Sequence, residues 1–212
     1  MKTDELIGLL AKDAAPATPK PFAPGLLGAA VVGALISALV LIAWLGLRPM
    51  GAAMHSPPFW MKTVYTALIA VAGFMITARL ARPGARLGWA PWIVAAAVAW
   101  LAMLAMMEMR RTPASGMSHL WLGWTWKICA LRILALSTPV FVAVLWLLRR
   151  MAPTRLALAG AAAGLFAGGV GATVYGLYCE ETAAAFVVVW YSLGIAACAA
   201  LGAVIGKRLL RW

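Results

Sequence analysis

Six apolar runs, each close to twenty residues long, take up most of this 212-residue chain. They lie at about 25–47, 63–80, 89–107, 128–148, 156–178 and 183–205. An α-helix needs ~20 such residues to cross the hydrocarbon layer of a bilayer. Lipid offers no hydrogen bonds to the backbone, so a spanning segment must satisfy its own N–H and C=O groups, as a helix does. The predicted fold is an all-α integral membrane protein with six transmembrane helices. Residues 16–24 read as a proline-rich linker and 1–15 as a short amphipathic helix ahead of the 25–212 membrane domain.

Charge supports the same reading. Only 11% of the residues are charged and 65% are hydrophobic, against about 25% and 45–50% in a soluble domain. The net charge of +12 would suggest nucleic acid in a soluble protein. Here no basic patch alternates with exposed aromatics as single-strand binding requires, and direct nucleic-acid binding is not expected. The excess fits loops that meet anionic membrane lipids.

The basic residues also orient the chain. With the N-terminus inside, twelve lie on the cytoplasmic side: Lys2, Lys12, Lys20, Arg79, Arg82, Arg86, Arg149, Arg150, Arg155, Lys207, Arg208 and Arg211. Five lie opposite, namely Arg48, Lys62, Arg110, Arg111 and Lys127, and Arg132 falls within a helix. The positive-inside rule then places both termini in the cytoplasm. Residues 1–24 lack the charged start and cleavage site of a signal peptide, so the first run is expected to remain as a span. In the fifth run Gly160, Gly164, Gly168, Gly169 and Gly171 form a small-residue stripe suited to close helix packing. Pro139 removes a backbone donor in the fourth and is expected to bend it.

Most of the remaining polar chemistry falls on the far side. Cys129 opens the fourth span, and Cys179 stands in "YCEET" between the fifth and sixth. Glu108, His119, Glu180 and Glu181 lie at the same level, with His55 further off. Arg132 follows Cys129 by three residues and shares its helix face. A charge at that depth calls for a partner, and Glu108 is the expected one, with Glu180 and Glu181 as alternatives. A nearby guanidinium would favour the reactive thiolate of Cys129. The two cysteines admit three readings: a structural disulfide, two unrelated packing thiols, or a reactive or metal-binding pair. The last is preferred, with Glu180, Glu181 and His119 as helpers and a soft or borderline metal as the fitting ion. Cys198, in mid-span, reads as a small buried residue.

At the N-terminus, "MKTDELIGLLAKD" can form a helix. Thr3 caps it, Asp4 and Glu5 complement its dipole, and Leu6, Ile7 and Leu10 form an apolar stripe. Isolated helices this short are marginal in water, so this one should bind a partner. Pro16, Pro19, Pro21 and Pro24 would hold it off the bundle as a semi-rigid spacer.

Together the opening "MKTDELIGLLAKD", the proline-rich lead into six spans, the cysteine of "WTWKICALRIL" and the turn "YGLYCEET" resemble the NrsF-type family of bacterial inner-membrane anti-sigma factors. The resemblance covers the whole chain. It implies a regulator that holds an extracytoplasmic-function sigma factor at the membrane, with Leu6, Ile7, Leu10, Asp4 and Glu5 as the binding segment. It further implies that Cys129 and Cys179 sense stress, heavy metals included. No cofactor is required by this reading beyond a metal at that pair. The basic loops, with Arg79, Arg82, Arg86, Arg149 and Arg150, are expected to add contacts, since no folded cytoplasmic domain is present to enclose the partner. An enzyme is not expected. The rival readings are a membrane thiol-disulfide oxidoreductase using Cys129 and Cys179, which lacks a second dithiol for relay, and a small metal transporter, which lacks midplane polar groups.

Overall fold

The structure is a computed structural model that describes residues 22–151 and 153–211, together with Thr3, Glu5 and Gly8. It contains six helices long and apolar enough to span a membrane, and no strand occurs among the described residues. Helix α1 covers Phe22–Trp44, followed by a short α2 at Met50–Met54 and by α3 at Pro57–Leu80. Next come α4 at Ala90–Arg111, α5 at Met117–Leu122, α6 at Trp126–Leu148 and α7 at Leu156–Tyr175. Helix α8 runs over Ala184–Leu209, with a π-helical segment at Val187–Tyr191.

Several ends differ from the expected spans for local reasons. Helix α1 begins at Phe22, inside the expected linker, and takes in Pro24. A proline in a first turn costs nothing, because its missing N–H would have no partner there. The helix stops at Trp44, ahead of Gly46 at φ 83°, where the amides of Leu45 and Gly46 both return to the Leu41 carbonyl. Helix α3 starts six residues early, with Pro57 and Pro58 in its first turn. That extension carries Lys62 into the helix. Of the expected partner-binding residues, Asp4, Leu6, Ile7 and Leu10 lie outside the described residues; Glu5 is helical and exposed.

Helix α7 is the hub, with its main interfaces on α8, α3 and α6. Its glycines divide the work by face. A Cβ on Gly160 would overlap the Gly202 carbonyl of α8, and one on Gly164 the Cys198 carbonyl. On another face, a Cβ at Gly169 would lie 2.6 Å from the Ala70 amide of α3. On a third, Gly171 meets Ser137 of α6. Such backbone-to-backbone approach maximises dispersion contact where lipid supplies no hydrophobic drive.

Helix α1 packs on α6 by the same device, since a Cβ at Gly33 would stand 2.7 Å from Val140 Cα. Pro139 follows in α6 and deprives the preceding turn of a donor. The buried Ser37 hydroxyl reaches across from α1 to the Leu136 carbonyl at 2.7 Å, a polar bond between two closely packed spanning helices.

The helix ends form two faces. One gathers the ends of α1, α4 and α7 with the starts of α3, α6 and α8, and carries both Cys129 and Cys179. It is termed the thiol end, and the opposite, arginine-rich face the basic end. Overpacking the hub should be costly. Gly160→Val is expected to lose about 1–3 kcal/mol, a fall in unfolding midpoint of roughly 2–12 °C. Gly51→Ala in α2, where an added Cβ meets nothing within 4 Å, should leave the midpoint in detergent unchanged.

The Cys179 turn as a candidate functional site

Helix α7 ends at Tyr175, and the Cys179 amide bonds back to the Tyr175 carbonyl at 3.0 Å. The chain then crosses to α8 through Cys179, Glu180, Glu181 and Thr182, and several polar groups of this turn meet neighbouring elements. Lys62, only 2% exposed, points its ammonium into the turn and donates to the Cys179 carbonyl at 2.8 Å and the Glu181 carbonyl at 2.6 Å. Arg48, from the α1–α2 connection, donates Nη1 to the same Cys179 carbonyl at 3.1 Å and stacks 4.9 Å over Phe59. Two cations from the first third of the chain thus grip carbonyls near its end.

The acids grip outward. Glu181 Oε1 accepts the Trp124 amide at 2.6 Å and the Thr125 amide and hydroxyl at 3.1 and 3.3 Å. These groups lie at the entry to α6, where an anion is favoured by the helix dipole. Gly123, at φ 52°, makes the grip feasible, because a Cβ there would lie 2.6 Å from the Glu181 carboxylate. Glu108, at the end of α4, accepts the Ala184 amide at 2.7 Å and so caps the start of α8 from a neighbouring helix. Glu180 is exposed.

Cys129 and Cys179 are unbridged and buried, at 0% and 1% exposure. They share one apolar cluster with Tyr175 and Tyr191 and lie within electrostatic reach of each other and of Lys62. Among the described residues, the hydroxyls of both tyrosines are buried without a partner, as are Nε and Nη2 of Arg48. Above the thiols opens a polar cleft of about 600 Å³, lined by Arg48, Trp124, Thr125, Tyr178, Glu180 and Glu181 among others.

The expected site residues are only partly drawn together. Cys129, Cys179 and Glu181 converge. Arg132 and Glu108 have separate partners: the guanidinium lies 5.2 Å over the Tyr178 ring, while the carboxylate holds α8. A half-buried guanidinium on an aromatic face needs no carboxylate. His119 is exposed, its ring 5.8 Å from that of Trp124. Among the described residues, no three His, Cys, Asp or Glu side chains gather closely enough to hold a metal ion, and the Glu181 carboxylate is already engaged by α6. Sequence reading missed Lys62 and Arg48 as site residues, having counted both only as flanking charges. The sign was available in Pro57–Pro58: a helix starting there places Lys62 more than one turn inside it.

Removing the ammonium should loosen the turn. Lys62→Met leaves the Glu181 carbonyl without its donor and the Cys179 carbonyl with Arg48 alone, for a loss of about 1–3 kcal/mol. Labelling of Cys179 by a membrane-impermeant maleimide should speed up at least ten-fold, while Arg110→Ala, an exposed residue of the same face, should leave the rate unchanged.

Comparison with known proteins bears on what this turn serves. The NrsF family profile, described as negative regulator of sigma F, matches residues 10–212. The chain is 43% identical, over the full length of both, to the anti-sigma-F factor NrsF of Caulobacter vibrioides (strain NA1000 / CB15N). It is 40% identical, again over both full lengths, to the probable anti-sigma-F factor NrsF of Azospira oryzae (strain ATCC BAA-33 / DSM 13638 / PS). No solved structure matches it. A six-helix chain matched from end to end in this way belongs to the NrsF family of negative regulators of sigma F.

Proposed function

We propose that the chain holds an extracytoplasmic-function sigma factor at the bacterial inner membrane, away from RNA polymerase, and releases it when Cys129 and Cys179 react. The carrying observation is the end-to-end similarity to two anti-sigma-F factors, which includes residues on both sides of the proposed membrane. The basic end faces the cytoplasm, where Arg79, Arg82, Arg86, Arg149, Arg150 and Arg155 cluster, and the thiol end faces the periplasm. Disulfides persist in that compartment.

The sigma factor is bound by the N-terminal segment through Leu6, Ile7 and Leu10, with Asp4 and Glu5 at its start. The signal enters at the other face. An oxidant removes two electrons and two protons from the thiols to form the Cys129–Cys179 bond. A soft or borderline metal instead displaces the thiol protons, with Glu180, Glu181 or His119 as further ligands after rearrangement. Either event ties the start of α6 to the turn between α7 and α8. The turn is also held by α3 through Lys62 and by the α5–α6 loop through Glu181, so a shift in it is felt by four helices. The coupling needed is modest, ~1–3 kcal/mol.

Two tests separate the parts. Co-expressed with its cognate sigma factor, the full chain should retain it through membrane purification, and a chain lacking residues 1–15 should lose it. Retention by the truncated chain would move the contact elsewhere. In cells exposed to cadmium or peroxide, Cys129→Ser/Cys179→Ser should hold release at its unstressed level. Normal induction by that variant would remove the thiols from the mechanism while leaving the anti-sigma role intact.

A further inference from the structure

A second feature belongs to neither the thiol turn nor the N-terminal segment. Between α1 and α6 runs an apolar groove of about 960 Å³, at the upper end of the ~300–1,000 Å³ typical of ligand clefts. Its α1 wall extends from Gly25 to Val40, about 22 Å at 1.5 Å per residue. That is longer than one leaflet of the ~30 Å hydrocarbon layer. It is open because α1 offers little bulk there: Gly28 has nothing within 4 Å of an added Cβ. On the α6 wall the Thr138 hydroxyl is spent on the Leu134 carbonyl at 3.1 Å, so the interior asks for no polar ligand.

The mouth at the basic end is different. Trp146 lines the groove and is 57% exposed. The Arg150 guanidinium lies 3.7 Å from its ring centroid. One residue earlier, Arg149 borders a small recess with Arg211. Neither the Arg149 nor the Arg150 guanidinium makes a hydrogen bond or ion pair among the described residues. A long apolar slot that ends in an indole and exposed guanidiniums matches an amphiphile with a fatty chain and an anionic head.

We infer that the α1–α6 groove is a binding site for one anionic phospholipid, its acyl chain along Gly28 and Pro139 and its phosphate against Arg149 and Arg150. A second copy of the chain fits less well. Two copies facing each other groove to groove across a twofold axis, and sharing one membrane orientation, would bring four arginines to one level. The site lies beside Phe22, where the chain emerges from its N-terminal segment into α1, and it is independent of the thiol mechanism.

The test is native mass spectrometry of the full chain in mild detergent, titrated with phosphatidylglycerol, with phosphatidylcholine of the same chains, and with glycerol phosphate. Expected are a one-to-one phosphatidylglycerol adduct, at least ten-fold weaker phosphatidylcholine binding, and none by glycerol phosphate. Arg149→Ala/Arg150→Ala should weaken the adduct about 30-fold, the worth of two basic residues near a charged surface. Gly28→Leu should abolish it by filling the slot, with an unchanged unfolding midpoint in lipid-free detergent. Val32→Trp, at a groove residue that is 56% exposed, provides a second filling should the first fail to fold. Equal binding of the two lipids, an adduct that survives both filled variants, or a two-chain mass that filling reduces to one chain would overturn the assignment.

Discussion

Backbone contact between α7 and its neighbours underlies the arrangement of the rest. A helix in lipid gains little from burying apolar surface, because the tails it leaves are as apolar as the partner it meets. What it can gain is close approach, and α7 achieves this on three sides by leaving out side chains. Gly160 and Gly164 admit α8, Gly169 admits α3 and Gly171 admits α6. With α7 held so closely, its end is fixed relative to all three neighbours. The turn that follows it is thereby brought within reach of Lys62 from α3 and the α6 entry.

That turn is held almost wholly by groups that would be costly to leave alone. A buried ammonium needs acceptors, and the carbonyls of a non-helical segment need donors. Lys62 meets both needs with two bonds at 2.8 and 2.6 Å. The Glu181 carboxylate does the reverse job for the free amides ahead of α6, and Glu108 does so for α8. Each charged group stabilises the end of an element other than its own. The thiols lie beneath this lattice, shielded from water, beside the buried hydroxyls of Tyr175 and Tyr191. A chemical change at the sulfurs therefore acts on a region whose polar groups have few alternative partners.

The two ends of the bundle carry different kinds of device. The thiol end is interlocked, with contacts linking α1, α3, α4, α6, α7 and α8 around a single turn. Elsewhere α1 leans on α6 through Gly33 and Ser37, and alongside them an open slot runs from Val40 to Gly25 at the basic end. A lipid seated there would contribute to the α1–α6 interface where the protein supplies few atoms of its own.

Much of the architecture was legible because hydrophobic length and helix geometry leave few options in a bilayer. Six runs gave six helices, and the glycine stripe of the fifth run marked the hub. Span ends were less legible, because Phe22–Pro24 and Pro57–Pro58 look like linkers until one considers that proline is welcome in a first helical turn. The site was read in part. Cys129, Cys179 and Glu181 were singled out by type and level alone, and they do converge. Lys62 and Arg48 were not, because a flanking cation and a carbonyl clamp have the same sequence signature. Glu108 and Arg132 went to Ala184 and Tyr178, since depth along a helix fixes a residue's level but not the direction it faces. By itself the sequence determined which segments leave water and how polar groups are sorted between the two ends, because transfer free energy depends on composition. Only the tertiary structure decided which polar group meets which, because hydrogen bonds depend on distances of a few ångströms that the rotation and spacing of packed helices set.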